Sequence, residues 1–442
     1  MDDIRTSVRT KDLDALQAAV ASMPEHDVAA ELVRLGPVDQ AVLFRLLPKD
    51  RALRVFERLE PAQQAVLLDS LGADEVTELI EGLDPDDRTR LLDEVPAKVA
   101  ARLLDRMSPE DRRRTGILLG YAPGTAGRMM TPEYLSIRSE LTAAEAIERV
   151  RRFGVDAETI DVLYVVDDQR RLIGVVTLRS LVLAAADALV GSIMTAELVW
   201  ASTDEDREEV ARRLLAHDLL AIPVVDRERR LVGIVTLDDA VAVLEREDTE
   251  DVVRMGGASP LGEPYITASV PRVFRARVGW LLVLFVAEAF TGTVLRAFEG
   301  VLEEVVALAF FVPLLIGTGG NAGSQTTTTI VRAMAIGEVR FGDAARVMWK
   351  ELRVGLLLGL TMAAVGTVRA VTWGTGHQLA FVVASALVAV VLLATFVGSF
   401  LPMVLRRLRL DPAVVSAPFI TTFVDAAGLL IYFLLARAVL GV

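Results

Sequence analysis

Hydrophobic and polar positions follow three different patterns along this chain. Up to about residue 128, apolar residues recur every three to four positions in short blocks separated by Pro or Gly, which predicts a stacked array of amphipathic helices. Between residue 129 and about residue 250, β-branched runs flank charged turns and predict strands followed by helices. From Trp280 onward, apolar runs of about 20 residues predict helices that cross a bilayer. The chain is therefore predicted to be multi-domain and mainly α, with an α/β segment in the middle.

The strand-rich segment contains an internal duplication. Val165–Asp167 and Leu172–Leu178 return later in the chain as Val224–Asp226 and Leu231–Leu237. The repeated order of strand, charged turn, strand and helix resembles a tandem CBS (cystathionine-β-synthase-type) pair. CBS pairs often bind adenosine nucleotides, with an Asp after the second strand Thr holding the ribose.

The two repeats differ at the position of that Asp. The second repeat has Thr236 followed by Asp239, whereas the first has Ser180 at the matching position. The resemblance therefore implies an ATP site at Thr236 and Asp239, and it leaves the first repeat without the ribose carboxylate.

A further helix is predicted directly after the duplication. Residues 238–257 place many carboxylates on one helical face and end at Gly256-Gly257. Like charges at three-to-four spacing destabilise an isolated helix, so we expect these acids to have a cation or a basic partner.

The apolar half predicts five membrane spans, and basic residues predict their orientation. The spans cover roughly residues 278–298, 301–325, 352–372, 379–404 and 413–440. Arg and Lys concentrate before the first span, between the second and third, and between the fourth and fifth, which places these segments in the cytoplasm and the C-terminus outside. The start, Met1–Arg5, has no apolar signal segment, so the soluble half is expected in the cytoplasm of a multi-pass protein of the inner (plasma) membrane.

The amino-acid composition then restricts the partners and activities to be considered. The 442 residues carry a formal net charge of -13 at pH 7, which argues against nucleic acid as a partner and favours cations. Cys is absent, which excludes disulfides, thiolate nucleophiles and Cys-ligated metals. The histidines, His26, His217 and His377, form neither an HExxH motif nor a Ser-His pair, so we expect no enzymatic activity.

Two carboxylates lie inside predicted spans. Asp425 is near the middle of the fifth span, where a charge is costly unless it faces water or a partner, so it predicts an ion pathway. Glu288 in the first span either lines the same cavity or bonds to Thr291, Thr293 or a neighbouring helix. The Gly-rich end of the second span either offers backbone carbonyls to a hard cation or allows close helix packing.

The order of these segments resembles the MgtE family of magnesium transporters, most specifically in Pro313–Gln325 and Asp411–Gly428. The resemblance implies an N-terminal helical domain (1–128), a tandem CBS domain (129–241), a connecting "plug" helix (242–270) and a transmembrane domain (271–442). It also implies a homodimer whose pore is lined by the second and fifth spans.

The same resemblance implies the site residues and makes Mg²⁺ both the transported and the regulatory ion. In the pore it implies Asp425 of each protomer, with Asn321, Gly319 and Gly320 nearby; one family member has Asn where this chain has Ala417. In the soluble half it implies that cytoplasmic Mg²⁺ closes the pore by binding a set of carboxylates. These are Asp86, Asp206, Glu208, Asp218, Asp239, Glu247, Glu250 and Asp251.

Two other functions stay open on sequence grounds. A proton- or sodium-coupled carrier for Mn²⁺ or Co²⁺ would use Asp425 and Glu288 as a relay. A membrane-anchored nucleotide sensor would transport nothing, and magnesium uptake by a chain lacking residues 1 to about 250 would count against it.

Overall fold

The computed structural model describes residues 13–261, 265–266, 268–408, 410–412 and 415–441. Met1–Arg5, part of the predicted connecting segment 242–270, and Ala413 and Val414 of the predicted fifth span therefore lie outside the described residues, wholly or in part. The chain forms two compact units: the first extends to Glu247, and the second takes residues 248–261 and continues from Ser269.

Short helices make up the first part of the first unit, as the spacing of apolar residues predicts. Over described residues 13–119 they pack around one apolar core that includes Leu43, Phe56 and Leu91. The helices are α1 Leu13–Ala21, α2 Glu25–Val33, α3 Pro37–Arg45, α4 Lys49–Glu57, α5 Pro61–Ser70, α6 Ala73–Gly82, α7 Pro85–Glu94, α8 Ala97–Arg106 and α9 Pro109–Leu119.

This helical array has a repeat. Every second helix from α3 to α9 begins with Pro at constant spacing, a position where the missing N–H of Pro costs nothing. Inside α3 and α5, the side-chain amides of Gln40 and Gln64 donate to the carbonyls of Leu32 and Phe56 at 2.9 and 2.8 Å. Each of these side chains thus ties a helix to the end of an earlier one.

The duplicated segment forms two equivalent three-stranded sheets. In each sheet the short first strand pairs parallel with the second, and the second pairs antiparallel with the third. The elements are α10 Ala126–Met129, β1 Ser136–Ile137, α11 Ala143–Phe153, β2 Val162–Val166, β3 Leu172–Thr177, α12 Leu178–Leu183, α13 Val190–Ile193, β4 Ala201–Ser202, α14 Arg207–Ala216, β5 Ala221–Val225 and β6 Leu231–Thr236.

The segment before each repeat packs on the sheet of the other repeat. Thr131 bridges to Ile234, and a Cβ on Gly233 would lie 2.5 Å from Sδ of Met130. Thr195 bridges to Val175 in the same way. Each repeat therefore contributes packing to the sheet of the other.

Helix α15, Leu237–Met255, follows β6 directly and ends before Gly256 and Gly257, the latter with a φ of +74°. It runs without a break through the predicted boundary between residues 241 and 242. Several of its acidic residues have arginine partners, as expected from the sequence. Glu247 pairs with Arg207 at 2.7 Å in the first unit, and Asp248 pairs with Arg332 at 2.8 Å in the second.

The second unit contains five helices that are long and apolar enough, by length and composition, to cross a membrane, within the residues described. These spans are Val270–Ala297, Val306–Ala335, Phe341–Thr372, His377–Arg407 and Ala417–Leu440. Their helices are α16 Val270–Ala297, α18 Val312–Ala335, α19 Ala344–Thr372, α20 His377–Arg407 and α21 Ala417–Leu440, with the short α17 Glu299–Glu304 between the first two. The predicted fold class, a mainly helical chain with a CBS pair and five spans, is confirmed.

The second span differs from the predicted 301–325. A 3₁₀ turn at Val306–Phe311 follows α17, and the long helix α18 starts at Val312 and continues to Ala335. Pro313 sits in its first turn, where Pro does not interrupt a helix. The helix extends through the Thr run, in which Thr327 is buried and donates to the carbonyl of Gly398 at 3.2 Å.

Candidate cation sites

An acidic cluster lies in the first unit, where two helices begin. Asp86 and Asp87 occupy the first turn of α7, and Asp239 occupies the first turn of α15. A carboxylate oxygen from each lies within 4.8 Å of the other two. The cluster lines a cavity of about 320 Å³. Both helix N-termini favour negative charge, so they help to hold these carboxylates together.

Burial makes this cluster electrostatically strained. Burial raises the pKa of Asp86 well above its usual value, and the charges of Asp239, Asp87 and Glu158 add to this effect. Burial likewise raises the pKa of Asp239 to about 6 and that of Glu158 to about 8. These carboxyl groups therefore lose their protons reluctantly, and a bound divalent cation would stabilise their charged forms.

Arg90 supplies part of the counter-charge. Its guanidinium bonds to Asp87 and lies 3.9 Å from Asp239. Asp86 is 9% exposed, and its Oδ1 has no hydrogen-bond partner. Hard oxygen ligands are what Mg²⁺ prefers, so the residues present fit such an ion.

Asp239 also belongs to the predicted nucleotide site. Thr236 Oγ1 donates to Asp239 Oδ2 at 2.8 Å, and in the first repeat the hydroxyls of Thr177 and Ser180 are 2.8 Å apart. The two positions are thus equivalent in structure but differ in charge. Thr236 bonds to Oδ2 of Asp239, and Arg90 lies near the other oxygen, Oδ1.

The remaining predicted regulatory carboxylates lie elsewhere. Asp206 caps α14 by accepting from the backbone N–H of Glu208 at 2.9 Å, and Glu208 pairs with Arg212. Asp218 is exposed at a positive φ of 51°. On α15, Glu247 pairs with Arg207 as described, Glu250 pairs with Arg254 at 2.9 Å, and Asp251 is half-buried. Of the predicted set, the structure therefore brings Asp86 and Asp239 into one three-carboxylate group.

Three residues at the cluster were not predicted from the sequence: Asp87, Arg90 and Glu158. The run Asp84-Pro85-Asp86-Asp87 carried a signal, because so many acids in the first turn exceed what a helix start needs. Glu158 carried none, since only the fold brings it to α7.

The intramembrane carboxylate Asp425 is buried in α21. It is 9% exposed, and its Oδ1 has no hydrogen-bond partner. Asn321 is exposed on α18. The carbonyl of Ala417 accepts from the hydroxyls of Ser324 and Thr421 at 3.3 and 3.1 Å, so this backbone oxygen already has polar partners.

The glycines of α18 allow close helix contact. A Cβ on Gly319 would lie 2.6 Å from Val390 and 2.7 Å from Val424, and one on Gly320 would lie 2.8 Å from Thr421. Both glycines lie within continuous helix, so their carbonyls belong to the helical backbone. Of the two interpretations of the Gly-rich segment, the structure favours helix packing at these positions.

Family models match most of the chain. A model described as "MgtE intracellular N domain" matches residues 23–124, and "CBS domain" matches 126–187 and 190–246. A third, "Divalent cation transporter" of the MgtE family, matches 312–435.

Curated relatives and a solved structure agree with the family models. "Magnesium transporter MgtE" of Thermus thermophilus is 46% identical over 324 residues, covering 73% of this chain and 72% of that protein. The protein of the same name in Bacillus subtilis is 35% identical over 322 residues, covering 73% and 71%. The crystal structure of the cytosolic domain of the Mg²⁺ channel MgtE in complex with ATP is 36% identical, covers 55% of this chain and 98% of that one, and superposes with a TM-score of 0.51. The resemblance stated from the sequence is therefore confirmed, and this chain belongs to the MgtE family.

Proposed function

We propose that this protein transports Mg²⁺ across a membrane through its five spans, and that cytoplasmic Mg²⁺ closes the pathway. The observation that carries transport is Asp425, a carboxylate that is 9% exposed within a span and has an oxygen without a hydrogen-bond partner. Leaving such a group unpaired costs free energy, which a passing cation offsets. The relatives named magnesium transporters make Mg²⁺ the cation of choice.

The ion at Asp425 is assigned as one that keeps its water. Mg²⁺ loses its hydration shell reluctantly, so a pathway for it needs acceptors that bind water rather than a cage that replaces it. Asp425 supplies one charged acceptor in α21, and Asn321 offers an exposed amide on α18. We assign Asp425 and Asn321 to the pore, with Gly319 and Gly320 as the small residues that let α18 approach its neighbours.

The exposed face of α18 supports a homodimer. Asn321, Gln325, Thr328 and Thr329 are exposed at helical spacing in this protomer. Polar side chains in a span are poor partners for lipid and mark helix contacts or a water-filled path. A second copy of the chain would cover this face and bring a second Asp425 to the pore, with the soluble half in the cytoplasm and the C-terminus outside.

Regulation is assigned to the acidic cluster and to α15. Mg²⁺ at Asp86, Asp87 and Asp239 would hold the first turn of α15. The last turns of the same helix carry Asp248, paired with Arg332 at the end of α18, and Arg254, paired with Asp411 at 2.7 Å before α21. We assign Asp206, Glu208, Asp218, Glu247, Glu250 and Asp251 to further regulatory contacts, and residues 1–128, 129–241, 242–270 and 271–442 to the four domains.

ATP binding is assigned to Thr236 and Asp239 of the second repeat. A nucleotide there would use a carboxylate that the cluster also uses, so ATP and Mg²⁺ binding are expected to influence each other. The similar crystal structure contains ATP, which supports testing this nucleotide first.

Flux into proteoliposomes tests the proposal. Wild-type protein should carry Mg²⁺, and flux should fall as Mg²⁺ is raised on the side of the soluble domains. Asp425→Asn should abolish flux, whereas the matched Glu299→Gln outside the spans should not. Wild-type flux through Asp425→Asn would refute the pore assignment, and flux independent of added Mg²⁺ would refute the regulation.

A coupled carrier is the second candidate, because two adjoining spans, the first and the fifth, each carry a carboxylate, Glu288 and Asp425. A carrier would be driven by a proton or sodium gradient at zero Mg²⁺ gradient. A channel would show no such uptake, and this experiment separates the two.

A further inference from the structure

The first and fifth spans lie side by side and run in the same direction. Near their starts, Trp280 Nε1 donates to Ser416 Oγ at 3.0 Å, and near their far ends the rings of Phe298 and Phe433 stack at 5.2 Å. Glu288 and Asp425 each lie about two turns beyond the first of these contacts. The two carboxylates are therefore level with each other, which agrees with their electrostatic interaction.

Glu288 is exposed in this protomer, and it lies on α16 next to the two residues by which that helix packs against the protein. Leu284 and Thr291 are the buried residues of this helix among those described, and Glu288 stands between them at i+4 and i−3 spacing. Thr291 is 7% exposed, and its Oγ1 has no hydrogen-bond partner. Thr293 differs, because it is exposed and donates to the carbonyl of Ala289 at 2.9 Å.

We propose that Glu288 and Thr291 form, together with Asp425, a binding site for a hydrated divalent cation between the first and fifth spans of one protomer. The proposal rests on the proposed function, since it enlarges the site of Asp425. Asp425 Oδ1 and Thr291 Oγ1 are both buried oxygens without a hydrogen-bond partner, and each belongs to one of the two spans that carry Glu288 and Asp425. The water molecules around Mg²⁺ are hydrogen-bond donors, so they satisfy these acceptors while the ion neutralises the charges.

The test compares matched variants in proteoliposomes, with Mg²⁺ as the probe. Glu288→Gln should raise the half-saturating Mg²⁺ concentration about tenfold, as expected for loss of a charge-assisted contact, and Thr291→Val about threefold. Glu299→Gln and Thr293→Val should leave it unchanged. Glu288→Asp and Thr291→Ser retain the charge and the hydroxyl and should recover most of the affinity.

A second readout separates binding from folding. Cobalt hexaammine resembles hydrated Mg²⁺ but cannot lose its ligands, so it should block wild-type flux, and Glu288→Gln should weaken the block in parallel with Mg²⁺ affinity. A merely structural role would lower thermal stability and maximal flux at unchanged half-saturation, and that result overturns the proposal. A change only in the response to a proton gradient overturns it too.

The outcomes also distinguish this inference from the proposed function. Flux through Asp425→Asn would refute the pore assignment whatever Glu288 does. Loss of flux in Asp425→Asn together with wild-type half-saturation in Glu288→Gln would refute this inference alone.

Discussion

Asp86 in the first unit and Asp425 in the fifth span are each 9% exposed, and each has a buried Oδ1 without a hydrogen-bond partner. Their neighbours differ. Asp86 lies with Asp87 and Asp239 in one group, close to the charge of Glu158. Asp425 stands in an apolar helix, with Glu288 as the charge that acts on it.

The difference matches two tasks for one ion. A sensor has to hold Mg²⁺ at a set concentration, and several converging carboxylates provide the charge for that. A pore must also release the ion, so binding there has to be weaker and to involve hydrated contacts. We infer that the number of carboxylates around each buried oxygen separates regulation from permeation in this protein.

Removing the cluster should have the largest effect on this comparison. Asp86→Asn combined with Asp87→Asn should raise the Mg²⁺ concentration that half-inhibits flux about 100-fold, at about tenfold for each charge-assisted contact. Flux at low Mg²⁺ should persist, because Asp425 is untouched. Proteoliposome flux across a Mg²⁺ titration measures both quantities.

Asp69→Asn is the matched control, since this carboxylate is exposed on the same helical array. It should leave inhibition unchanged. Equal loss of flux at all Mg²⁺ concentrations in the double variant would show that the cluster serves transport directly, and the comparison would then fail.

The membrane spans that hold Asp425 depend on close helix packing. Gly319→Ala places a methyl group 2.6 Å from Val390 and 2.7 Å from Val424. Both neighbours are β-branched and stiff, so the substitution should cost about 1–3 kcal/mol of stability. Thermal unfolding of the full chain in detergent measures this loss.

Gly317→Ala is the control, because nothing lies within 4 Å of its added Cβ and the residue is exposed. Stability there should stay the same or rise by about 0.5–1 kcal/mol, as usual for Gly to Ala in a helix. Equal effects of the two substitutions would contradict the packing interpretation.

The second span shows which parts of the fold can be predicted from the sequence and which cannot. Apolar periodicity and the internal repeat predict the helical array, the CBS pair and five spans, because each depends on local spacing. The exact course of the second span depends on which Thr side chains are buried, as Thr327 is against Gly398. That contact joins helices far apart in sequence, so no local pattern reports it.

The acidic cluster was likewise predicted only in part from the sequence. Asp86 and Asp239 were predicted through the family resemblance, whereas Asp87 and Glu158 were not. Helix α7 places Asp87 beside Asp86, but Glu158 reaches the cluster only through the packing of the CBS pair. Its raised pKa is a tertiary effect, which composition and spacing cannot contain.

Protons should compete with Mg²⁺ for the carboxylates of the acidic cluster, so Mg²⁺ binding there should depend on pH. The pKa of Asp239 is raised to about 6 and that of Glu158 to about 8, so the folded state holds these protons more tightly than the unfolded chain. The contribution of these two protonated groups to the free energy of unfolding is present at low pH. It is lost as the pH rises through their pKa values. Bound Mg²⁺ should protect the folded chain from protease, and it must displace both protons to bind. The Mg²⁺ concentration that gives half-maximal protection should therefore fall about 100-fold from about pH 6 to about pH 8, about twofold through Asp239 and about 50-fold through Glu158.

Limited proteolysis of the full chain in detergent, across a Mg²⁺ titration at each pH, measures this Mg²⁺ concentration independently of flux. Asp239→Asn combined with Glu158→Gln should flatten the pH dependence. A dependence that survives in that variant would assign the protons to other groups.

Arg90 should have the smallest effect, and the opposite sign. Its guanidinium bonds to Asp87 and lies near Asp239, so it occupies part of the negative potential that Mg²⁺ would use. Arg90→Gln should therefore lower the half-inhibiting Mg²⁺ concentration about fivefold, a modest value for a partly exposed ion pair. Arg54→Gln, an exposed arginine paired with Glu25 on the same array, should not. If Arg90→Gln instead raised the half-inhibiting concentration, Arg90 would be holding the carboxylates in place for the ion rather than competing with it.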